Sequence, residues 1–348
     1  MDTVGRLGPR ELADETSTAL ELTSSGRPVA PVAFVDLDQW APSDPLPVLA
    51  DEPRRVLIGV TNASLPDRLA PLLRELTFTL VPTGEDGGGA ERVGVDDPWA
   101  TAEHIAEYTA LAPRAAVTLT GLLRLTEQLP VAEGLTAESL SYSMLLAGPE
   151  FAAWRARTPR RPVPDHPEPV LVSRDGSLLR VVLNRPQRHN AFSRDVRDGL
   201  VEALDLARLD PTIAEVELSG NGPSFCSGGD LDEFGTAPDV STAHLIRVRR
   251  SAGHAVHRAA GRVRVRVHGA CIGAGIEVPA FADRVESARD AYFQLPELRM
   301  GLVPGAGGTV SVTRRIGRWR TAYLVLSGVP IDARTALEWG LVDTCGGC

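Results

Sequence analysis

An α/β fold is predicted for this chain, on three observations. Residues 55–82 read as strand, amphipathic helix, strand, which is a β-α-β unit and therefore a parallel crossover. Two further Val-rich strands, at 216–218 and 263–267, each run into a turn of Gly and other small residues and then a helix start. Residues 98–156 carry apolar positions at three- and four-residue spacing, with no run approaching the ~18 apolar residues of a membrane span.

Taken in order, residues 1–28 are polar and mixed and offer only a short helix at 10–22. Residues 41–54 are Pro-rich and read as a connector. The strand at 55–61, the helix at 66–76 and the strand at 77–82 make the β-α-β unit, and 84–89 is a flexible Gly-rich loop. In the helical region, Leu122, Leu123, Leu125 and Leu129, then Leu135, Leu140, Met144 and Leu145, form the apolar stripes, with a helix start by capping near Thr136. Glu138 and His104 lie here, and a solvated or hydrogen-bonded structural role is expected for both. A Pro-rich linker follows at 158–169.

The second half opens with a hairpin, 170–173 against 178–183, around Asp175-Gly176. A helix is expected over 190–208, with Val196, Leu200, Leu204 and Leu206 as its apolar positions. Another is expected over 241–260, where His254 and His257 share a face. Without a carboxylate nearby, those two are read as packing or surface residues rather than metal ligands. A strand at 290–295 and a helix at 310–316 complete the pattern. The division implied is a polar, Pro-rich segment (1–54), an α/β and helical region (55–162) and a core carrying the chemistry (163–348).

The 348 residues are ample for a large core, and 36 basic against 45 acidic side chains give a net charge of −9. Bulk attraction to nucleic acid or anionic membranes is not expected. Every one of the basic side chains is Arg, so lysine Schiff-base chemistry and a P-loop lysine are excluded. The four cysteines give no disulfide framework, and Cys345 and Cys348 alone make a poor zinc site. No metal is expected. With no basic-then-apolar leader at the N-terminus, a soluble cytoplasmic protein is the default reading.

The stretch 265–309 carries the chemistry. Its first turn, Gly273-Ala274-Gly275, leaves free backbone N–H groups at a helix start, where small residues let a ligand oxygen approach. Such a turn can hold a phosphate, a carboxylate or an oxyanion formed during reaction. Glu277 stands beside it, which is also what ordinary helix capping would place there. The spacing is not that of a dinucleotide-binding turn. The upstream corner, Phe225-Cys226-Ser227-Gly228-Gly229-Asp230-Leu231, has the same strand-turn-helix form. Two such corners in one sheet can aim two N–H groups at one point, as an oxyanion hole requires.

FCSGGDL (225–231), HGACIGAGIE (268–277), QLPELRMGLVPGAGGT (294–309) and LNRPQRHNAF (183–192) together resemble the crotonase (enoyl-CoA hydratase/isomerase) superfamily, over roughly residues 168–345. The resemblance implies a ββα-superhelix core. It also implies oxyanion donors at Gly229 and Ala274 and paired catalytic glutamates at Glu277 and Glu297. The family usually has Gly at the position of Ala274; the extra methyl tightens the approach of a thioester. Coenzyme A or substrate contacts would fall to Arg188, Asn190, Ala191, Phe225, Ser227, Gly228, Asp230, Leu231 and Gly273. No cofactor is implied beyond the coenzyme A of the substrate itself, and the partners would be that acyl-CoA thioester and further copies of the chain in a trimer or hexamer.

Hydration of a 2-enoyl thioester is the leading expectation. Glu277 would serve the water and Glu297 the α-proton, with a salt bridge from Glu297 to Arg299 or Arg314 as the structural alternative. Double-bond isomerases, thioester hydrolases, decarboxylases and a cofactor-independent arylacetyl-CoA dioxygenase share the same core. A non-catalytic assembly subunit is the other class of reading. One departure from the family stands out. Its usual C-terminal helices are not matched after 342, while 112–162 looks like that missing segment. A rearranged crotonase is therefore expected, with 100–156 covering the pocket.

Overall fold

In the computed structural model, residues 5–41, 43–49, 53–162 and 168–348 are described. Parts of the connector at 41–54 and of the linker at 158–169 lie outside them. The chain begins with β1 (Arg6–Leu7), α1 (Pro9–Leu12) and α2 (Glu15–Thr18), so the expected helix at 10–22 is two separate single turns. Asp14 interrupts them, because its side chain accepts from the Thr16 amide and starts the second turn afresh. β2 (Val32–Asp36), β3 (Val56–Val60), α3 (Ala70–Glu75), β4 (Phe78–Pro82) and β5 (Arg92–Val95) follow.

These strands make a five-stranded sheet in sequence order, every neighbouring pair parallel. A parallel sheet needs cover on both faces. Here Val32, Phe34, Val56, Ile58 and Val60 point into the main core, while Ala33, Val35 and Leu57 point into a smaller one with Leu69, Leu72, Leu73 and Leu76. β2, from the segment read as polar and Pro-rich, pairs residue for residue with β3, Val32 opposite Val56. Its five apolar-rich positions, too short to show a period, left that strand unread.

The helical region is α4 (Pro98–Ala110), α5 (Pro113–Gln128), α6 (Val131–Leu146) and α7 (Pro149–Arg157). Leu122, Leu123, Leu135 and Leu145 are buried as the stripes require, but Leu125, Leu140 and Met144 are exposed. α6 starts at Val131 rather than near Thr136, whose hydroxyl instead bonds back to the Ala132 carbonyl.

The second half contains β6 (Val170–Asp175), β7 (Leu178–Leu183), α8 (Arg194–Leu209), β8 (Glu215–Gly220), α9 (Val240–Arg249), α10 (Ala252–Arg258), β9 (Val263–Val267), β10 (Ala270–Ile272) and α11 (Ala274–Glu277). After these come β11 (Arg284–Ala288), β12 (Tyr292–Gln294), α12 (Gly308–Ser327), β13 (Ile331–Asp332), α13 (Ala333–Trp339) and β14 (Thr344–Gly346). A six-stranded sheet in the order β14-β11-β9-β8-β7-β6 is parallel except for the β6–β7 hairpin. β10, β12 and β13 make a small sheet beside it. α8 begins at Arg194 because Ser193 caps it, and Leu206 on it faces outward. The helix expected over 241–260 breaks at Arg250, and Ser251 caps the second piece.

One core joins the halves. It runs from Val32 and Ile58 in the five-stranded sheet through Leu119 and Leu123 to Val310, Leu324 and Val342. α12 is the shared element. Gly317 at φ 80° breaks its helical path, a conformation that glycine adopts without strain. Beyond the break the ring of Tyr323 meets Phe78 edge-on at 5.7 Å, and Arg318 donates to the carbonyls of Leu76 and Arg74. Cys345 and Cys348 are joined as a disulfide, a local link that the sequence reading did not anticipate.

Candidate active site

Strand register brings the two glutamates together. β10 and β12 are parallel with Ile272 opposite Gln294, so the turns that follow them lie side by side. The Gly273 amide donates to the Gln294 carbonyl at 2.9 Å and closes the pair. Gly273 then turns at φ 49°, where a Cβ would stand 2.6 Å from Glu297 Oε1 and 3.7 Å from Glu277 Oε1. Glycine suits this turn because its φ is positive, and a Cβ would press on the Glu297 carboxyl.

The upstream corner docks onto the same turn. Cys226 bridges Cys271: the Cys226 amide donates to the Ala270 carbonyl at 3.1 Å and the Ile272 amide to the Cys226 carbonyl at 3.0 Å. The following residues are thereby carried against Gly273-Ala274, and a Cβ at Gly228 would lie 3.1 Å from the Ile272 carbonyl oxygen. Among the described residues, the amides of Gly229 and Ala274 donate to no protein acceptor. Ala274 is the first residue of α11, a position whose N–H has no partner within its helix.

Both glutamates are buried, with 2% and 7% exposure for Glu277 and Glu297. Glu277 Oε2 accepts from the amides of Ala306 at 2.8 Å and Gly308 at 2.9 Å. Burial pushes its carboxyl up to about 7, and those amides hold it from going higher. Glu297 is raised well above the usual carboxylate range by burial first and by the neighbouring Glu277 second. Its Oε2 has no hydrogen-bond partner, and it forms no ion pair with Arg299 or Arg314; Arg314 donates instead to the Leu129 carbonyl.

A third carboxyl stands at the same place. Glu138 of α6 is 2% exposed and takes the hydrogen-bonded one of the two roles expected for it. Its Oε1 accepts from the Gly307 amide at 2.7 Å, and its Oε2 from the Thr309 amide at 3.0 Å and hydroxyl at 2.7 Å. Burial, then repulsion from Glu277, pushes it up to about 8. Tyr142, one turn along the same helix face, lays its ring where a Cβ at Gly305 would come within 2.4 Å. Residues 131–146 thus pack onto the pocket. The one available sequence signal was Glu138 sharing a helix face with buried Leu135, Tyr142 and Leu145.

The residues expected to meet coenzyme A divide into two groups. Asn190 is fully buried and its side chain is taken up by the loop. Its Oδ1 accepts from the Arg185 amide and its Nδ2 donates to the carbonyls of Asn221 and Ser224, bracing the loop. Asp230 and Phe225 are also interior; Asp230 sits between Arg185 and Arg188. Arg188 reaches both Asp230 and Asp232 at 2.8 Å, in a chain of ion pairs that Arg161 continues. Ala191 is buried, Ser227 half-buried, Gly228 turns at φ 92°, and Leu231 is exposed, its carbonyl accepting from Arg155. Phe234, unnoticed in the sequence, covers Gly229: a Cβ there would lie 2.5 Å from its ring.

His254 and His257 stack on each other with centroids 6.4 Å apart, and His257 packs against Phe281. His104 bonds the Ser327 carbonyl at 3.0 Å. Among the described residues, no group of three or more His, Cys, Asp or Glu side chains is placed to hold a metal ion.

The sequence profile of the enoyl-CoA hydratase/isomerase family matches residues 173–346. The 2,3-dehydroadipyl-CoA hydratase of Escherichia coli K12 is 34% identical over 174 residues, a match covering 50% of this chain and 68% of that protein. The chain belongs to the enoyl-CoA hydratase/isomerase family. Its core has the crotonase fold of that family. The 1,2-epoxyphenylacetyl-CoA isomerase of the same organism is also 34% identical, over 181 residues, with the same 50% and 68% coverage. Among solved structures, an enoyl-CoA hydratase of Mycobacterium smegmatis aligns at 30% identity and a TM-score of 0.48, covering 51% of this chain and 69% of that one. Each match covers about half of the chain; the five-stranded sheet and the α4–α7 region lie outside the profile match.

Proposed function

We propose that this member of the family hydrates a 2-enoyl thioester of coenzyme A, or runs the reverse dehydration, through an enolate. The observation that carries the reading is the pairing of two buried carboxyls of unlike surroundings around one turn with a free amide. Glu277 is held by two N–H donors and serves as the base toward water. Glu297, its Oε2 without a partner and its carboxyl raised well above the usual range, carries the proton delivered to the α-carbon. Unlike environments let two carboxyls divide acid and base roles near neutral pH. The amides of Gly229 and Ala274 receive the charge that develops on the thioester oxygen.

Several supporting roles belong to the same reading. Arg188, Ser227, Gly228 and Leu231 line the approach for the coenzyme A moiety, with Ala191 and Gly273 offering backbone. Asn190, Asp230 and Phe225 brace that approach from inside. No further cofactor takes part, and self-assembly as a trimer or hexamer in the cytoplasm completes the proposal. No helix among the described residues is long and apolar enough to cross a membrane. α4–α7 covers the pocket, and the Glu138 contacts support that placement.

Incubation with crotonyl-CoA, following loss of the conjugated-thioester absorbance, tests the reading. Hydration in the wild type and its loss in Glu297→Gln are the expected results. Migration of the double bond without net hydration would assign isomerase chemistry to the same residues. Silence toward enoyl thioesters of every chain length would remove the reading.

A further inference from the structure

Four successive amides at the start of α12 are shared between two carboxylates in strict alternation. Ala306 and Gly308 donate to Glu277; Gly307 and Thr309 donate to Glu138. Neither grip is complete without the other, because displacing one amide of this run drags its neighbours. The two acids come from opposite halves of the chain, Glu277 from the strand-turn corner and Glu138 from the helical region.

We propose that Glu138 is a positioning residue for the proton chemistry: by holding the Gly307 and Thr309 amides it presents those of Ala306 and Gly308 to Glu277. This rests on the reading of Glu277 as the base. Three properties of the site support it. The Thr309 hydroxyl gives Glu138 a third donor, so the carboxylate is fixed at both oxygens. The orphan N–H groups of a helix start, with the positive end of its dipole, stabilise negative charge at this point. A buried site of this kind does not tolerate three ionised carboxyls, so Glu138, Glu277 and Glu297 must share protons. Besides these acids, Glu138 faces the guanidinium of Arg247 from α9 and the Tyr142 ring from its own helix. Arg247 itself is anchored on the Ser139 hydroxyl at 3.2 Å and stacks 4.6 Å from the Tyr142 ring, so its charge stays close.

The proposal separates charge from grip. In Glu138→Gln, length and one acceptor oxygen survive while the charge goes. In Glu138→Ala, both go. The test is a titration of Glu277 by side-chain carboxyl carbon NMR, in the full chain without substrate, for wild type and both variants. Values of kcat and KM for crotonyl-CoA hydration are taken alongside. Because Glu138 keeps its proton above the range in which Glu277 titrates, the Gln variant should leave the Glu277 titration close to the wild-type value. In the Ala variant the loosened amides withdraw from Glu277, so its titration should lie above that of the Gln variant. There kcat should fall about a hundredfold, the cost of a misplaced catalytic group, with KM changed far less. Partial recovery of kcat in the Gln variant over the Ala variant is also expected.

A Glu277 titration identical in all three chains, or equal kcat in both variants and the wild type, overturns the proposal. If the Ala variant does not fold, the kcat of the Gln variant, which has lost one of the two acceptor oxygens, decides it: a fall supports the proposal and a wild-type value overturns it. A wild type that hydrates no enoyl thioester would remove the reaction proposed above while leaving the Glu277 titration to judge Glu138.

Discussion

The five-stranded sheet and the small β10–β12 pair each present acidic side chains after parallel strands, with opposite consequences. At the five-stranded sheet, Asp38, Glu85 and Asp96 are exposed, and each is met by a nearby hydroxyl: Thr61, Ser64 and Thr83 respectively. At the turns after β10 and β12, Glu277 and Glu297 are buried, as is Glu138 of α6 beside them, and burial raises all three carboxyls above their usual range. Acid clustering is common to both places. Removal from water, with too few donors to compensate, is what turns carboxyls into proton-transfer groups.

The comparison can be broken by mutation. The largest effect is expected for Glu297→Gln, which should lower turnover of an enoyl thioester by roughly 10²–10⁴-fold, the usual worth of a general acid. Next comes Ala274→Pro, which deletes an amide at a helix position where proline is accepted. Loss of one oxyanion donor costs about 2.7–4 kcal/mol, read as a fall in kcat with an unchanged melting transition. At the other sheet, Asp38→Asn should leave turnover alone and change stability by less than about 0.5 kcal/mol in denaturant titration. A large loss of activity there would end the distinction drawn between the sheets.

The pH dependence sharpens it. An unfolded glutamate releases its proton near its ordinary value of 4.5, whereas folded Glu277 holds it to about 7. Between those values the folded state binds more protons than the unfolded one. Stability is therefore greatest at the acid end and declines as pH rises through that window. Replacing the buried acid in Glu297→Gln should flatten part of this decline, giving a variant more stable than wild type at alkaline pH and inactive. Activity itself should be bell-shaped, rising as Glu277 ionises and falling as Glu297 loses its proton.

Much of this arrangement was legible beforehand. Gly273, Glu277 and Glu297 stand in compact patterns whose spacing reflects one turn and one strand register, so local sequence sufficed. β2 was missed because a strand buried on both faces shows no alternation, and its pairing with β3 is settled by tertiary contact. Glu138 was read as solvated or hydrogen-bonded and is the latter, but nothing local announces that Gly307 and Thr309, far along the chain, supply its donors. Asn190 lies in a recognisable motif, but its left-handed backbone at φ 52° and the bonds of its buried amide to the loop could be read only from the structure.

The most direct measurement is solvent deuterium incorporation at the α-carbon of the thioester, followed by mass spectrometry for wild type and Glu297→Gln in D₂O. An enolate held by the two amides and reprotonated by Glu297 should leave deuterium at that carbon in the wild type and none in the variant over the same time. Equal incorporation in both chains, or turnover of the wild type with no deuterium at the α-carbon, would contradict the assignment.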